Sequence, residues 1–350
     1  MGMNDTNLNS RQKRILKFLK EKNNLSRLEL SSLVALGKRI SRITIIRDLK
    51  ELVKAGFVVV HGKGRTTKYG LGLTNPLLLY LDMDSYFDLN YPERGAKAFN
   101  NNVYDNLANL YSSEEIELWE KSKIKFKDAR EKLNPSIYKR ELERFVIELS
   151  WKSSQIEGNT YSLIETETLI KENIRAQGHP EEEAVMILNH KQAFGVILDK
   201  RETFRKLNLS DVVQLHNVLT NGLVTSGIRS QRVRITGTDY EPLSGKHDLE
   251  AALNGLIEHV NKIPYPPEKA LILASMIAYI QPFADGNKRT ARMLANAVLV
   301  AYDYFPLSYR NVDINDYRSS MIIFYETNNL FHFKRIFMSQ LEFAINNYFL

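Results

Sequence analysis

The chain has 350 residues, 43% of them apolar and 25% charged, a composition typical of globular proteins and a length sufficient for two or three domains. It contains no cysteine, which excludes disulfides, iron–sulfur clusters and thiolate zinc sites. Residues 1–25 lack the apolar core of a signal peptide, and the longest apolar stretches are too short to span a bilayer. We therefore expect a cytoplasmic protein without a membrane partner.

Positive charge is concentrated near the N-terminus. The net charge is +7, but residues 1–75 hold 16 Lys and Arg against 5 Asp and Glu, whereas the remainder holds 32 against 36. The excess therefore belongs to the N-terminal segment alone, and it predicts a polyanion as the partner of that segment.

Three helical patterns occupy the first 55 residues. They run from Ser10, as a cap, to Lys22, from Ser26 to Leu36, and from Ser41 to Ala55, with Gly37 permitting the turn before the third. The positions predicted to face the core are Ile15, Leu16, Phe18 and Leu19 in the first helix, Leu28, Leu30, Leu33 and Val34 in the second, and Ile43, Ile46, Leu49 and Val53 in the third.

A hairpin pattern follows Gly56, with two strands around a turn from His61 to Arg65. Three helices followed by a hairpin make a winged helix, which we expect over residues 8–74. The runs SRITIIRDLKELVKAGFV and GKGRTTKYGL resemble the DeoR-type winged helix-turn-helix, a resemblance that covers residues 10–73.

This resemblance implies DNA as a partner, with the third helix in the major groove and the wing against phosphates. The alternative is a solvated basic face on a domain that binds only protein. The residues predicted to contact DNA are Ser41, Arg42, Thr44 and Arg47 on the helix and Lys63, Arg65 and Lys68 on the wing.

Residues 75–100 read as a linker, because they combine prolines, Asn and Asp with aromatic residues. Beyond them we expect one mainly helical domain over 101–350, with a single hairpin at Arg232 to Tyr240. Its predicted helices run over 114–132, 138–152, 165–175, 181–198, 210–220, 249–262, 268–280 and 287–304.

The segment QPFADGNKRTAR, residues 281–292, carries the chemistry of this half. An apolar helix ends at Pro282 and a second begins near Lys288, so the free amides after Gly286 make an anion site at a helix N-terminus. Three cations surround it, which favours polyphosphate. Asp285 would repel phosphate unless it holds a cation such as Mg²⁺. Taken alone, DGNKR is also compatible with a surface turn.

The full string resembles the Fic signature H-P-F-x-[DE]-G-N-G-R-x-x-R at all but two specified positions. The resemblance covers residues 100–350 and implies a helical fold whose active members transfer AMP from ATP to a protein hydroxyl. Carried over, Asp285 would bind Mg²⁺, Gly286 and Asn287 would cradle phosphates, and Arg289 and Arg292 would hold the triphosphate tail.

A second resemblance lies upstream, where SSQIEGN, residues 153–159, fits the inhibitory motif [ST]-x-x-x-E-[GN] of the same family. It begins at Ser153, and its acid is Glu157. The resemblance implies that Glu157 pairs with Arg292 and so removes the donor fork that the γ-phosphate needs. A helix-terminal Glu-Gly-Asn is otherwise commonly a simple cap.

The family also uses a flap, a hairpin beside which a target segment adds as a strand. Residues 232–240 occupy the corresponding place, with Ile235, Thr236 and Gly237 at the tip. An ordinary surface hairpin fits equally. Tyr317 is predicted either to line the pocket for the nucleotide base or to pack in the core.

Two departures from the signature bear on activity. Gln281 stands where the catalytic histidine takes a proton, and an amide has no useful basicity near neutral pH. The sequence places no other histidine at the site. Lys288 stands at a glycine position, as in the related Doc toxins, which move a phosphate; those toxins lack the final arginine that this chain retains as Arg292.

Two functions remain open at this point. The first is an auto-inhibited, impaired protein adenylyltransferase that uses ATP and Mg²⁺ and modifies a protein target. The second is a DNA-binding transcription regulator that senses ATP without turnover. A homodimer is compatible with both, because winged-helix proteins often read two half-sites, but the sequence does not indicate one.

Overall fold

The structure is a computed structural model that describes residues 8–35, 40–72, 75–90, 93–95 and 98–349. It divides into two compact units, Met1–Asn90 and Tyr91–Leu350, so the division falls within the predicted linker. The predicted turn at Gly37, the end of the second helix at Leu36 and the expected domain end at Thr74 lie outside the described residues.

Four α-helices and a small antiparallel sheet are the main elements of the described part of the first unit. The elements are α1 (Ser10–Glu21), β1 (Leu25–Ser26), α2 (Arg27–Ala35), α3 (Arg42–Lys54), β2 (Val58–His61), β3 (Lys68–Leu71) and α4 (Met83–Phe87). The strand order is β1-β3-β2, with Val58 opposite Leu71 and His61 opposite Lys68. A short 3-10 turn, Gly64–Thr66, lies between β2 and β3.

The first helix starts differently from the prediction. Asn9, not Ser10, is its N-cap, and Gln12 completes a capping box with the Asn9 backbone. Asn9 fits this position because its side-chain oxygen accepts from the free amides of Arg11 and Gln12.

The prediction of core-facing positions is wrong at four residues. Leu28 is 70% exposed and Ile43 is 79% exposed, and Leu33 and Val53 are also exposed. The buried stripe of α3 is instead Ile45, Asp48, Leu49 and Leu52. The prediction followed apolar residues alone, whereas the true stripe contains a carboxylate: Asp48 is buried because Arg11 donates to it at 2.7 Å.

The second unit is mainly helical, as expected. Its helices are α5 (Ser113–Lys132), α6 (Pro135–Ile156), α7 (Leu163–Glu172), α8 (Glu181–Asp199), α9 (Leu209–Leu219), α10 (Lys246–Lys262), α11 (Pro266–Ile280), α12 (Asn287–Ala301), α13 (Ile314–Thr327) and α14 (Phe331–Asn347). Serine or asparagine caps start several of them, with capping boxes at Ser112, Ser162 and Asn208.

The centre of this unit is the antiparallel pair α11 and α12. Every residue of α11 is buried, which fits a helix that is apolar on all sides. Helix α12 is buried except at Lys288, and it also contacts α6, α8 and α9. The loop that joins α11 to α12 is therefore held between packed helices, and this loop is the predicted phosphate-binding segment.

The predicted hairpin at residues 232–240 has its turn at Thr236 and Gly237, where Gly237 has a φ of +88°. The residues on either side of this turn form no paired strands with each other. Across the ranges that the structure describes, no helix has both the length and the apolarity to cross a membrane.

Candidate functional site

The loop between α11 and α12 turns at two residues in the left-handed region. Gln281 caps α11 with a φ of +52°, and Gly286 caps α12 with a φ of +75°. Gly286 is required for two reasons: its φ favours glycine, and a Cβ there would lie 2.7 Å from Cγ2 of Thr220. The turn therefore brings the start of α12 close against α9.

Asn287 closes this loop with its side chain. Its Oδ1 accepts from the Phe283 amide at 2.9 Å, and its Nδ2 donates to the Phe283 carbonyl at 2.8 Å and to Oε1 of Gln281 at 2.9 Å. The region of Gly286 and Asn287 was predicted to cradle phosphates, and within it the Asn287 side chain is committed to the loop. The backbone N–H groups of Asn287, Lys288 and Arg289 are left, and these find no acceptor among the described residues.

The Gln281 side chain is held at both ends. Its Nε2 donates to the Ala278 carbonyl at 2.6 Å while its Oε1 accepts from Asn287, and the residue is only 8% exposed. Gln281 borders a cleft, but its amide is bonded to the last turn of α11 through the Ala278 carbonyl. No group with the basicity of an imidazole occupies this position.

Behind the loop, Phe283 stacks on His216, with ring centroids 3.6 Å apart and an interplanar angle of 5°. His216 is fully buried and its Nδ1 lies 3.0 Å from the hydroxyl of Thr290. Burial lowers the pKa of His216 to about 4, with Arg289 adding to the effect, so the ring is neutral at pH 7. The loop therefore rests on an aromatic support that the sequence did not reveal.

Glu157, the C-cap of α6, lies against two cations of α12. Its Oε1 is 2.9 Å from Nη2 of Arg292, and its Oε2 is 2.9 Å from Nζ of Lys288. Burial raises the pKa of Glu157, but the charges and hydrogen bonds of Arg292 and Lys288 outweigh it and set the pKa at about 2. The carboxylate is therefore ionised at neutral pH and held by both of its oxygens.

Arg292 is fully buried and also donates hydrogen bonds to Ser153 and Tyr317. Its Nε donates to Oγ of Ser153 at 3.0 Å, Nη2 to the Ser153 carbonyl at 2.9 Å, and Nη1 to the Tyr317 hydroxyl at 3.1 Å. Nε2 of His190 lies 2.9 Å from the same Ser153 Oγ, and its Nδ1 lies 2.8 Å from the Met186 carbonyl. Ser153 therefore links the guanidinium to a buried imidazole.

This network assigns a direction to each proton. Nδ1–H of His190 donates to the Met186 carbonyl, which leaves Nε2 to accept from the Ser153 hydroxyl. Burial lowers the pKa of His190 to about 3, so this neutral form persists. Tyr317 is fully buried and holds Arg292; of the two roles predicted for it, the structure places it in the core and not in the cleft wall.

Arg289 is buried but incompletely partnered. Its Nη2 donates to Oδ2 of Asp285 at 2.8 Å, whereas Nε and Nη1 have no hydrogen-bond partner among the described residues. An unpartnered buried donor costs about 1–3 kcal/mol, and more when charged, so this guanidinium is suited to an additional acceptor. The Asp285 side chain is 66% exposed and accessible to a cation from solvent.

Some of these groups border a cleft of about 620 Å³, whereas Arg289 and Arg292 are buried and are not among the residues that line it. Its walls are the end of α6, the 233–237 segment, the loop before α12, and α13. The predicted residues that line it are Glu157, Ile235, Thr236, Gly237, Gln281, Asp285, Gly286, Asn287 and Lys288, and residues that the sequence did not single out are Ile156, Val233, Arg234, Ala284, Arg318, Met321, Ile322 and Tyr325.

Arg318 ties α13 to the end of α6, because its Nη2 donates to the Ile156 carbonyl at 2.8 Å. Cations near a helix C-terminus satisfy its last carbonyls and interact favourably with the helix dipole. Glu157 is the next residue. Arg318 binds Ile156 and Lys288 binds Glu157, so both cations hold the C-terminal end of α6. No sequence pattern pointed to Arg318.

In the first unit, the residues predicted to contact DNA divide into two groups. Ser41 caps α3: its Oγ accepts from the Thr44 amide at 3.1 Å and lies 2.8 Å from the Thr44 hydroxyl. Those two side chains are engaged with each other. The five cations, in contrast, are exposed: Arg42, Arg47, Lys63, Arg65 and Lys68.

Comparisons with known proteins agree on one family. Residues 206–299, which include α9, α10, α11, the loop and most of α12, match the model of the Fic/DOC family. The chain is 27% identical over 194 residues to "Protein adenylyltransferase Fic" of Nematostella vectensis, covering 51% of this chain and 43% of that protein. It is 27% identical over 182 residues to the protein of the same name from Aedes aegypti, covering 50% and 36%.

Solved structures are similar in fold. "Fic-1 (aa134 - 508)" of Caenorhabditis elegans superposes with a TM-score of 0.58 at 16% identity and covers 98% of each chain. A Fic domain containing signaling protein from Bacteroides thetaiotaomicron gives a TM-score of 0.52 at 23% identity, covering 67% of this chain and 95% of that one. The chain spans less than half the length of the curated relatives named above.

Proposed function

We propose that this chain is an ATP-binding protein of the adenylyltransferase lineage, because residues 206–299 match the Fic/DOC family, and that it is held inactive by Glu157 and impaired by Gln281. The observation that carries the proposal is the contact at 2.9 Å between Glu157, which lines the cleft, and the buried Arg292. Arg292 is the residue predicted to hold the end of a triphosphate, and a carboxylate occupies it.

The residues around the loop fit a polyphosphate. The two unpartnered donors of Arg289 and the free amides at the start of α12 offer hydrogen bonds to anionic oxygens. Lys288 adds a cation at the cleft wall. Asp285 is the carboxylate that would hold Mg²⁺, a metal that often binds one protein carboxylate together with substrate phosphates. ATP would supply the AMP group and Mg²⁺ would offset the phosphate charge.

Glu157 acts by occupying donors. Hydrogen bonds to Ser153, Tyr317 and Glu157 take up four of the five N–H groups of Arg292. A terminal phosphate would have to displace the Glu157 carboxylate to be held by this guanidinium. We infer that ATP enters the closed cleft weakly or in a pose that does not permit transfer.

The pairing of Glu157 with Arg292 is called the lock from here on. Gln281 would limit AMP transfer even after the lock opens. Its amide is held by Ala278 and Asn287, and it cannot accept the proton of an attacking hydroxyl. A positioned general base contributes about 100- to 10,000-fold in rate, so we expect the released protein to be slower by that range than a variant with histidine.

The target would be a protein hydroxyl presented along residues 235–237, which border the cleft at the turn and leave an edge that is unpaired within its own segment. Such an edge can accept a strand from another chain.

Labelling with ATP that carries ³²P at the α-phosphate tests this proposal. The variants are Glu157→Gly, Gln281→His and the double variant, with Glu182→Gln, an exposed glutamate at the start of α8, as the matched control. We expect fast labelling only with the double variant, and the label should appear on the chain itself or on a protein of an added lysate. Absence of labelling from the double variant, when it is folded and binds ATP, would reject adenylyl transfer.

A second function is DNA binding by the first unit, for which the row of exposed cations on α3 and the excess of positive charge provide support. In this reading the protein is a regulator that senses ATP without turnover. Fluorescence anisotropy of labelled duplex DNA, with and without saturating ATP and Mg²⁺, tests it. A binding curve that ATP leaves unchanged would reject nucleotide sensing, and no binding at low salt would reject the DNA partner.

A further inference from the structure

One apolar side chain of the first unit lies among cations on the surface. Ile43, in the first turn of α3, is 79% exposed. At 100° per residue, Ile43, Arg47, Lys50 and Lys54 lie on one face, opposite the buried stripe that contains Ile45 and Leu49. All four side chains of this outer face are exposed. The face therefore starts with one isoleucine and continues with three positive charges.

The three cations of the outer face form no ion pair with any residue that the structure describes. Nearby acids are engaged elsewhere: Asp48 is buried against Arg11, and Glu51 accepts from Gln12 at 2.6 Å. The surface thus has uncompensated charge that complements a polyanion, in agreement with the excess of Lys and Arg over residues 1–75.

We propose that this outer face binds duplex DNA in the major groove and that Ile43 contacts the C5-methyl group of a thymine. The proposal rests on DNA binding by the first unit and adds the residue that reads a base. Residues at the N-terminal end of a recognition helix reach base edges, whereas positions further along meet the backbone. Ile43 lies at that end, and Arg47, Lys50 and Lys54 follow toward the C-terminus.

The chemistry of the groove selects thymine. Among the four bases only thymine presents a methyl group there, and apolar side chains contact it. Burying one methyl group contributes about fourfold in affinity, from about 0.8 kcal/mol per buried CH₂. Ser41 and Thr44 are engaged in capping α3, and Ile43 is the exposed apolar side chain of this turn.

The test begins with the full chain and a pool of random-sequence DNA duplexes, from which bound duplexes are selected and sequenced. Each thymine of the enriched duplex is then replaced by deoxyuridine, which differs only by loss of the methyl group. We expect one replacement to weaken binding by about three- to fivefold in the unmodified protein and to have no effect in Ile43→Ala.

Two controls separate this contact from general effects. Ile124→Ala removes a similarly exposed isoleucine from α5 and should leave the thymine dependence unchanged. Arg47→Ala should weaken binding to all duplexes without removing that dependence. If duplexes are enriched but no thymine is sensitive, or if Ile43→Ala keeps the sensitivity, the Ile43 contact is wrong while DNA binding stands. If no duplex binds at low salt, both are wrong.

Discussion

The carboxylate of Glu157 lies 2.9 Å from Nζ of Lys288, the residue that stands where the Fic signature has glycine. The other carboxylate oxygen lies 2.9 Å from Arg292, so each oxygen is held by a different cation of α12. A glycine at position 288 would leave the second oxygen without this partner. The departure from the signature therefore gives the Glu157 carboxylate a second cation as a partner.

Replacing Lys288 by alanine should change the affinity for ATP in one direction when Glu157 is present and in the opposite direction when Glu157 is replaced by glycine. With Glu157 present, the change weakens the lock and should tighten ATP binding about fivefold, because a partly buried ion pair of this kind contributes about 1 kcal/mol. With Glu157→Gly, the lock is absent and loss of a cation from the cleft should weaken binding. Calorimetric titration of the four proteins measures both effects.

Lys121→Ala is the matched control for this cycle, because it removes an exposed lysine paired with Glu117 on α5. It should change neither affinity. An effect of Lys288→Ala that is the same with and without Glu157 would show that Lys288 does not act through this carboxylate.

The depressed pKa of Glu157 predicts how stability depends on pH. Its pKa is about 2 in the folded protein, below the ordinary value of 4.5, so its contribution is fully present above pH 4.5 and is lost as the pH falls toward 2. The gap in unfolding free energy between the unmodified protein and Glu157→Gln should narrow by about 2 kcal/mol from pH 6 to pH 2.5.

Urea unfolding at a series of pH values measures this gap, and Glu182→Gln should show no such narrowing. A gap that is constant over the acid range would mean that Glu157 is not held as an ion pair in solution.

Two glycines should respond oppositely to alanine. Gly286→Ala places a side chain at a φ of +75° and 2.7 Å from Thr220, so we expect a loss of about 2 kcal/mol and a disturbed loop. Gly255, inside α10, has open space around a Cβ, so Gly255→Ala should stabilise by roughly 0.5–1 kcal/mol. Thermal unfolding compares them; equal effects would contradict the geometry of the loop.

Much of the helical domain could be predicted from the sequence because its signals are contiguous. Pro282 after an apolar run fixes the end of α11, and Gly286 before a second helical pattern fixes the start of α12. The string QPFADGNKRTAR carries the predicted anion site within twelve residues, so neighbouring positions in sequence are neighbours in space.

The supporting residues could not be predicted, because their partners are distant in sequence. His216 supports Phe283 and His190 supports Ser153, yet neither pattern differs from that of any core histidine. The inward face of α3 was misassigned for a related reason. Asp48 is buried only because Arg11, on another helix, compensates it, and a pattern of apolar residues cannot show this.

The central claim is that Glu157 and a bound triphosphate compete for Arg292. Titration of ATP with Mg²⁺ into the unmodified protein and into Glu157→Gly, followed by calorimetry, tests it most directly, with a parallel titration without Mg²⁺. We predict that Glu157→Gly binds ATP at least about tenfold more tightly, a difference of about 1.4 kcal/mol. Equal affinities in the two proteins, both folded, would contradict the claim.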